Sequence, residues 1–138
     1  MNTNEFPSIE PLAKSKLESL EFLDLDLSYI EDYIPLQNSI FKYLKELYLS
    51  TTIIDLLLFE KVPFSNLEIL DLSLHFINVN DEPVFGIDLN GLKNCNFPKL
   101  KKLILNHNNI SDISALENVK FGKLEELYLN SNKIQKID

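Results

Sequence analysis

An eleven-residue pattern, Leu-x-x-Leu-x-Leu-x-x-Asn-x-Ile, recurs down almost the whole chain. It runs as Leu20, Leu23, Leu25, Ser28, Ile30, then as Leu44, Leu47, Leu49, Thr52, Ile54 and as Leu67, Leu70, Leu72, His75, Ile77. The two cleanest copies are Leu100, Leu103, Leu105, Asn108, Ile110 and Leu124, Leu127, Leu129, Asn132, Ile134. The first leucines stand at 20, 44, 67, 100 and 124, so the steps are 24, 23, 33 and 24 residues. Within each copy, leucine alternates with variable residues at period two, as in a short strand with one buried face. A recurring period of this length brings successive strands side by side. The chain then stacks into a solenoid in which each unit touches only its neighbours. The expected architecture is α/β, with parallel strands on the concave face and short α or 3₁₀ turns on the convex face. Residues 1–138 read as a single solenoid of about five full repeats plus partial ends.

The Asn position falls where the chain must turn after the strand, and a buried Asn there can satisfy backbone groups of adjacent units. Asn108 and Asn132 keep it, Ser28 and Thr52 are weaker substitutes, and His75 reads as a loop histidine in a drifted repeat. Three residues before each first leucine come Leu17, Phe41, Phe64, Phe97 and Phe121. Four phenylalanines in one register predict an aromatic spine. Five residues before it come Ser15, Ser39, Val62, Cys95 and Val119, which reads Cys95 as a small buried apolar residue. Ser111 or Asp112 is placed to cap the turn that follows.

The phase of the pattern extends to both ends. Asn4, Phe6, Ile9 and Leu12 fall in register with Asn108, Ile110, Ile113 and Leu116, and the last residues run just past the turn at Asn132. Neither end shows an evident polar cap, so the chain is expected to be a slice of a longer array or to associate end to end with itself. The long step of 33 residues holds one insertion, read as a loop over 78–91. Its Asp81, Glu82 and Asp88 lack the ordered spacing of a calcium loop and read as solvated acids.

Composition bounds the partners. A formal net charge of −8 excludes a nucleic-acid surface, which needs clustered Lys and Arg. Lys45, Lys101 and Lys102 are too few to form a phosphate groove. No apolar run reaches the ~18–20 residues of a membrane span, and Met1 to Pro7 lacks the features of a secretory leader. The single cysteine, Cys95, cannot form an internal disulfide. Together these point to a reducing compartment, cytoplasmic or nuclear. No P-loop, nucleophile elbow, metal-spaced Cys/His cluster or dinucleotide fingerprint occurs, so no cofactor, no metal and no catalytic role is expected.

The residues between the leucines share the concave surface. Phe22, Tyr48, Ile69, Ile104 and Tyr128 are apolar or aromatic where packing does not demand it, and such side chains mark contact sites. Asp24, Asp26 and Asp71 stand among them. These eight residues are the candidate partner-binding set. The acids would favour a protein partner with a basic patch.

The units resemble the leucine-rich repeat superfamily over about residues 4–138. The phrase Asn108-Asn109-Ile110-Ser111-Asp112-Ile113-Ser114-Ala115-Leu116 resembles the subclass typified by the phosphatase-1 regulatory subunit. The acidic balance is also similar to that of acidic leucine-rich nuclear phosphoproteins, which bind basic partners such as histones. The resemblance implies a non-catalytic protein-interaction module. Its alternatives are a structural slice of a longer array and a regulatory subunit of a phosphatase-type enzyme.

Overall fold

The five copies of the leucine pattern become five strands of three residues each: β1 (Phe22–Asp24), β2 (Glu46–Tyr48), β3 (Ile69–Asp71), β7 (Lys102–Ile104) and β9 (Glu126–Tyr128). The structure, a computed structural model, describes residues 8–28, 30–62, 64–79 and 82–135, with backbone alone for 39, 76–79 and 82–85. The strands form one parallel sheet in the order β1-β2-β3-β7-β9. Its register is in phase throughout: Leu23, Leu47, Leu70, Leu103 and Leu127 lie on one cross-strand row. Each of the other leucine columns likewise meets itself one unit on, and the result is a leucine-rich repeat solenoid. Leu44, Leu47, Leu49, Leu67, Leu70, Leu72, Leu100, Leu103 and Leu105 are all buried. Burying one leucine is worth roughly 1.5–3 kcal/mol, so the units hold together mainly through this stack.

The strands are short because every one ends in the same turn. Leu27, Thr51, Leu74, His107 and Ser131 each have φ between 52° and 59°. This left-handed conformation costs an L-residue about 1–2 kcal/mol. It recurs because the turn aims each N–H at the next unit: Leu27 N–H donates to the Ser50 carbonyl, Thr51 to Ser73, Leu74 to Asn106 and His107 to Asn130. The residue just after it is the Asn position, and its side chain closes the remaining backbone groups. Asn108 Oδ1 accepts from His75 N–H at 2.7 Å, and its Nδ2 donates to the Leu72 carbonyl at 2.7 Å. Asn132 Oδ1 accepts from the N–H groups of Asn108 and Ile110, both at 3.0 Å, while Nδ2 donates to the Leu105 carbonyl at 2.8 Å. Thr52 Oγ1 does a smaller part of the task, donating to Leu49 O at 2.7 Å.

His75 corrects the reading of a drifted loop. It occupies the Asn position, is buried, and its Nε2 lies 3.0 Å from the Ile54 carbonyl. Leu74 before it keeps the left-handed turn, so the third unit closes like the others.

The convex side carries α1 (Glu10–Ala13) and 3₁₀ turns at Ile34–Gln37, Ser39–Tyr43, Leu56–Lys61, Leu89–Leu92 and Ser114–Asn118. A second periodic device starts them. Asp32, Asp55, Asp88 and Asp112 each accept from the N–H two residues on, at 3.0, 2.9, 3.0 and 2.8 Å. Ser8 Oγ does the same for Glu10 N–H at 3.1 Å. Of the two caps expected in the last unit, Asp112 holds the place. The 3₁₀ turns of the second and third units pack so closely that a Cβ added to Gly91 would lie 2.6 Å from Leu56 Cβ. Beneath them Phe64 stacks on Phe97 at 6.0 Å and Phe97 on Phe121 at 6.1 Å, and Phe41 is fully buried. Leu17 begins the column without sealing it, because it is exposed. Behind the spine, β6 (Asn96–Phe97) pairs in parallel with β8 (Lys120–Phe121). Cys95 is buried with its Sγ against the Gly91 carbonyl, and burial pushes its thiol up to about 11.

The segment expected as a loop over 78–91 divides in two. β4 (Phe76–Val79) and β5 (Glu82–Phe85) pair as an antiparallel hairpin, and Gly86 N–H closes it onto the His75 carbonyl at 2.8 Å. Asp88 and Leu89–Leu92 belong to the regular convex turn, with Leu89 and Leu92 in the core. Asp81, Asn4, Phe6 and residues 136–138, all used in the sequence reading, lie outside the described residues.

Two variants test the turn. Asn108→Ala leaves two buried backbone groups without partners, at roughly 1–3 kcal/mol each, so urea denaturation should show a loss of about 2–5 kcal/mol. Asn132→Ala, in a half-buried place, should cost clearly less, and equal losses would sink the account. His75 gives a pH signature, because burial lowers its pKa below the ordinary 6.5. Below that pH the unfolded chain takes up a proton that the folded ring resists, so stability should fall as pH drops. His75→Asn should flatten that slope, and an unchanged slope would remove His75 as its source.

Candidate binding face

The sheet register turns the candidate residues into two rows. Along one lie Phe22, Glu46, Ile69, Lys102 and Glu126, and along the other Asp24, Tyr48, Asp71, Ile104 and Tyr128. Neighbouring strands stand roughly 4.8 Å apart, so Tyr48 is flanked on both sides by carboxylates. Phe22 is 54 % exposed and its ring meets that of Tyr48 at 5.4 Å. Ile69 and Ile104 are half-buried, and Tyr128 is exposed. Seven of the eight predicted residues therefore stand in these two rows, and Asp26 follows β1 in the strand-ending turn; they gather into two groups rather than one.

The first group is aromatic and acidic. Asp24 and Asp71 each accept from a backbone N–H of their own turn, Asp26 at 3.0 Å and Ser73 at 2.8 Å. Asp26 reaches the next unit, its Oδ1 accepting from Ser50 N–H at 2.6 Å. Partial desolvation raises the Asp26 carboxyl to about 6, opposed by the Ser50 bond and reinforced by the charges of Asp24 and Asp71. None of these three acids enters an ion pair among the described residues. Their field is uncompensated.

The second group already holds its own cation. Lys102 Nζ lies 3.0 Å from Glu126 and 5.7 Å from the centre of the Tyr128 ring. The three lysines that the sequence sets against the acids are each paired in this way: Lys45 with Glu21 at 2.8 Å, Lys101 with Glu68 at 2.6 Å, and Lys102 with Glu126. Glu21, Lys45, Glu68, Lys101 and Glu125 alternate in sign along one column, so this charge is spent between units.

Sequence reasoning passed over one feature. Tyr48 Oη donates to Glu46 Oε2 at 3.0 Å, and Tyr128 Oη donates to Glu126 Oε2 at 2.6 Å. Residues two apart on a strand share a face, so the repeated Glu-Leu-Tyr at 46–48 and 126–128 was the available signal. Each glutamate ties the hydroxyl end of its ring to the same strand. Tyr48 is raised above its ordinary pKa by burial first and by the Glu46 contact second.

Residues 98–138 match the family of leucine-rich repeats in two copies. No curated protein matches the chain. Among the solved structures, the chain is similar to an internalin (inlF) from Listeria monocytogenes str. 4b F2365, at 27% sequence identity and a TM-score of 0.57. The match covers 91% of this chain and 38% of that one, so the chain spans well under half of its length. Among the described residues no helix is long and apolar enough to cross a membrane.

Asp26 supplies a stability test. Folding raises its pKa from 3.8 to about 6, so between those values the folded chain holds more protons than the unfolded one. Stability contributed by this group therefore falls as pH rises through the window. Asp26→Asn copies the neutral Asn106, which makes the same bond to Asn130 N–H at 2.8 Å. The variant should raise the urea midpoint at pH 7.5 and leave it unchanged near pH 4. A lower midpoint at pH 7.5 would show that the carboxylate is held by more than it loses.

Proposed function

We propose that this leucine-rich repeat solenoid is a non-catalytic protein-interaction module that binds a partner on its concave sheet. The observation that carries the reading is the exposed Phe22 ring against the half-buried Tyr48 ring, set among Asp24, Asp26 and Asp71, which enter no ion pair among the described residues. Solenoids use their concave surface for binding, and aromatic side chains in a polar surround are the usual energetic centres of interfaces. The partner is a protein presenting a basic patch, with Lys or Arg against the acids and apolar side chains against the rings. Ile69 continues this patch, and Ile104 with Tyr128 forms its farther, self-compensated margin. The unpaired, buried Cys95 supports a reducing compartment, cytoplasmic or nuclear.

The phosphatase-regulatory alternative rests on one phrase in the fourth unit, so the concave-face reading is preferred. A second reading has a structural observation behind it. Leu103 in the fourth unit is 0% exposed, whereas its equivalent Leu127 in the fifth is 41% exposed. Strand β9 pairs on one side only among the described residues. A strand edge of this kind can accept another strand in the same parallel register, so association of copies of the chain through β9 is the alternative reading.

Partner capture from lysate of the source cell separates these readings. The parent chain should retain a partner that a folded Phe22→Ser/Tyr48→Ser variant loses by about thirtyfold, the size of a ~2 kcal/mol hot spot. An Ile104→Ser/Tyr128→Ser variant should lose less. Equal retention by all three moves the site off the concave face. Self-association that rises with concentration and vanishes in Leu127→Glu would establish the stacking reading instead.

A further inference from the structure

The convex surface breaks the repeat rule at one place. The residue two positions after each capping Asp or Ser is exposed in every unit: Glu10, Ile34, Leu57, Asn90 and Ser114. Three of the five are polar, as befits a position facing water. The other two are large and apolar, with Ile34 65% and Leu57 57% exposed. They stand on adjacent 3₁₀ turns, Ile34–Gln37 and Leu56–Lys61. Ile53 joins them at 47% exposure, where the last two units carry the exposed Asn109 and Lys133. Packing does not require these side chains, because Asn90 and Ser114 hold the same place in folded units. Tyr43 and Leu17 are also exposed, but Ile34, Ile53 and Leu57 come together, and such a cluster marks an interaction site.

The three residues line one hollow of about 530 Å³ between the two turns. That volume is within the ~300–1,000 Å³ of ligand-holding clefts. Glu31, Asp32 and Asp55 stand at its rim against a single ammonium, Lys61. None of the residues lining the hollow belongs to a strand of the concave sheet, so its occupant need not compete with a partner held by Phe22 and Tyr48.

We propose that this hollow is a second docking surface, taking a segment of a partner protein that inserts large apolar side chains and flanks them with Lys or Arg. The excess of carboxylates at the rim selects a basic segment. A second copy of this chain is disfavoured, since each carries a formal charge of −8.

The probe is a short fluorescent amphipathic peptide of leucine and lysine, with a leucine–glutamate peptide as its charge-reversed control, followed by anisotropy. The acidic chain attracts any basic peptide, so the comparison is between variants of equal charge. Ile34→Ser/Leu57→Ser copies Ser114 and should weaken the basic peptide by at least about tenfold, or 1.4 kcal/mol. The peptide also fits the proposed concave face, so the same pair of substitutions is repeated in a Phe22→Ser/Tyr48→Ser background, where it should still cost at least about tenfold. Glu31→Lys should weaken binding more than Glu117→Lys, a variant of the same net charge at an exposed position outside the hollow, and this pair keeps the test open if the double variant misfolds. Parent-like binding by both convex variants would overturn the proposal, as would preference for the leucine–glutamate peptide. So would loss of binding in the concave variant alone, which would leave the concave reading standing and remove this one.

Discussion

The strand-ending turn is the constraint from which the rest of the solenoid follows. A left-handed residue costs about 1–2 kcal/mol, and this chain places one at Leu27, Thr51, Leu74, His107 and Ser131 without using glycine at any of them. The conformation persists because it points one N–H at the next unit and delivers the following side chain into the interior. There Asn108 and Asn132 satisfy backbone groups of the unit before them. A buried amide or carbonyl left unpaired would cost as much as the turn itself. Strand length, register and the flatness of the leucine rows all descend from this closure.

Because units add in one dimension, charge is handled in columns. The alternation of Glu21, Lys45, Glu68, Lys101 and Glu125 settles one column between neighbours, through solvent-screened exposed ion pairs that add little to stability. The modest energy matters less than the consequence that these lysines are unavailable to the concave face. Asp24, Asp26 and Asp71 are left to act outward. The same separation sets the two ends of the sheet apart: rings under an uncompensated acidic field at β1–β3, and a ring under its own lysine at β9.

Much of this was legible from residue spacing. The leucine columns, the stack of Phe64, Phe97 and Phe121, and the burial of Cys95 follow from identical residues meeting at a fixed period. The Asp column at 32, 55, 88 and 112 has the same regularity counted back from the first leucine, yet it escaped notice. Counted forward from the turn, its spacing slips by one residue in the 23-residue step and by nine in the 33-residue step. His75 was misread for a related reason: its side chain differs from Asn in shape, and the backbone conformation that keeps it in place belongs to Leu74. The hairpin at 76–85 was invisible because it breaks the period that every other inference used.

Sequence alone determined that the chain stacks rather than closes, which residues face inward, and which residues between the leucines share the two rows of the sheet. Those are consequences of period, and period is written in one dimension. Tertiary structure decided which charges cancel and which stay exposed, because that depends on whether a lysine one unit away reaches its glutamate. It also decided that Ile34, Ile53 and Leu57, on separate turns, line one hollow, since adjacency across units depends on how convex segments of unequal length pack.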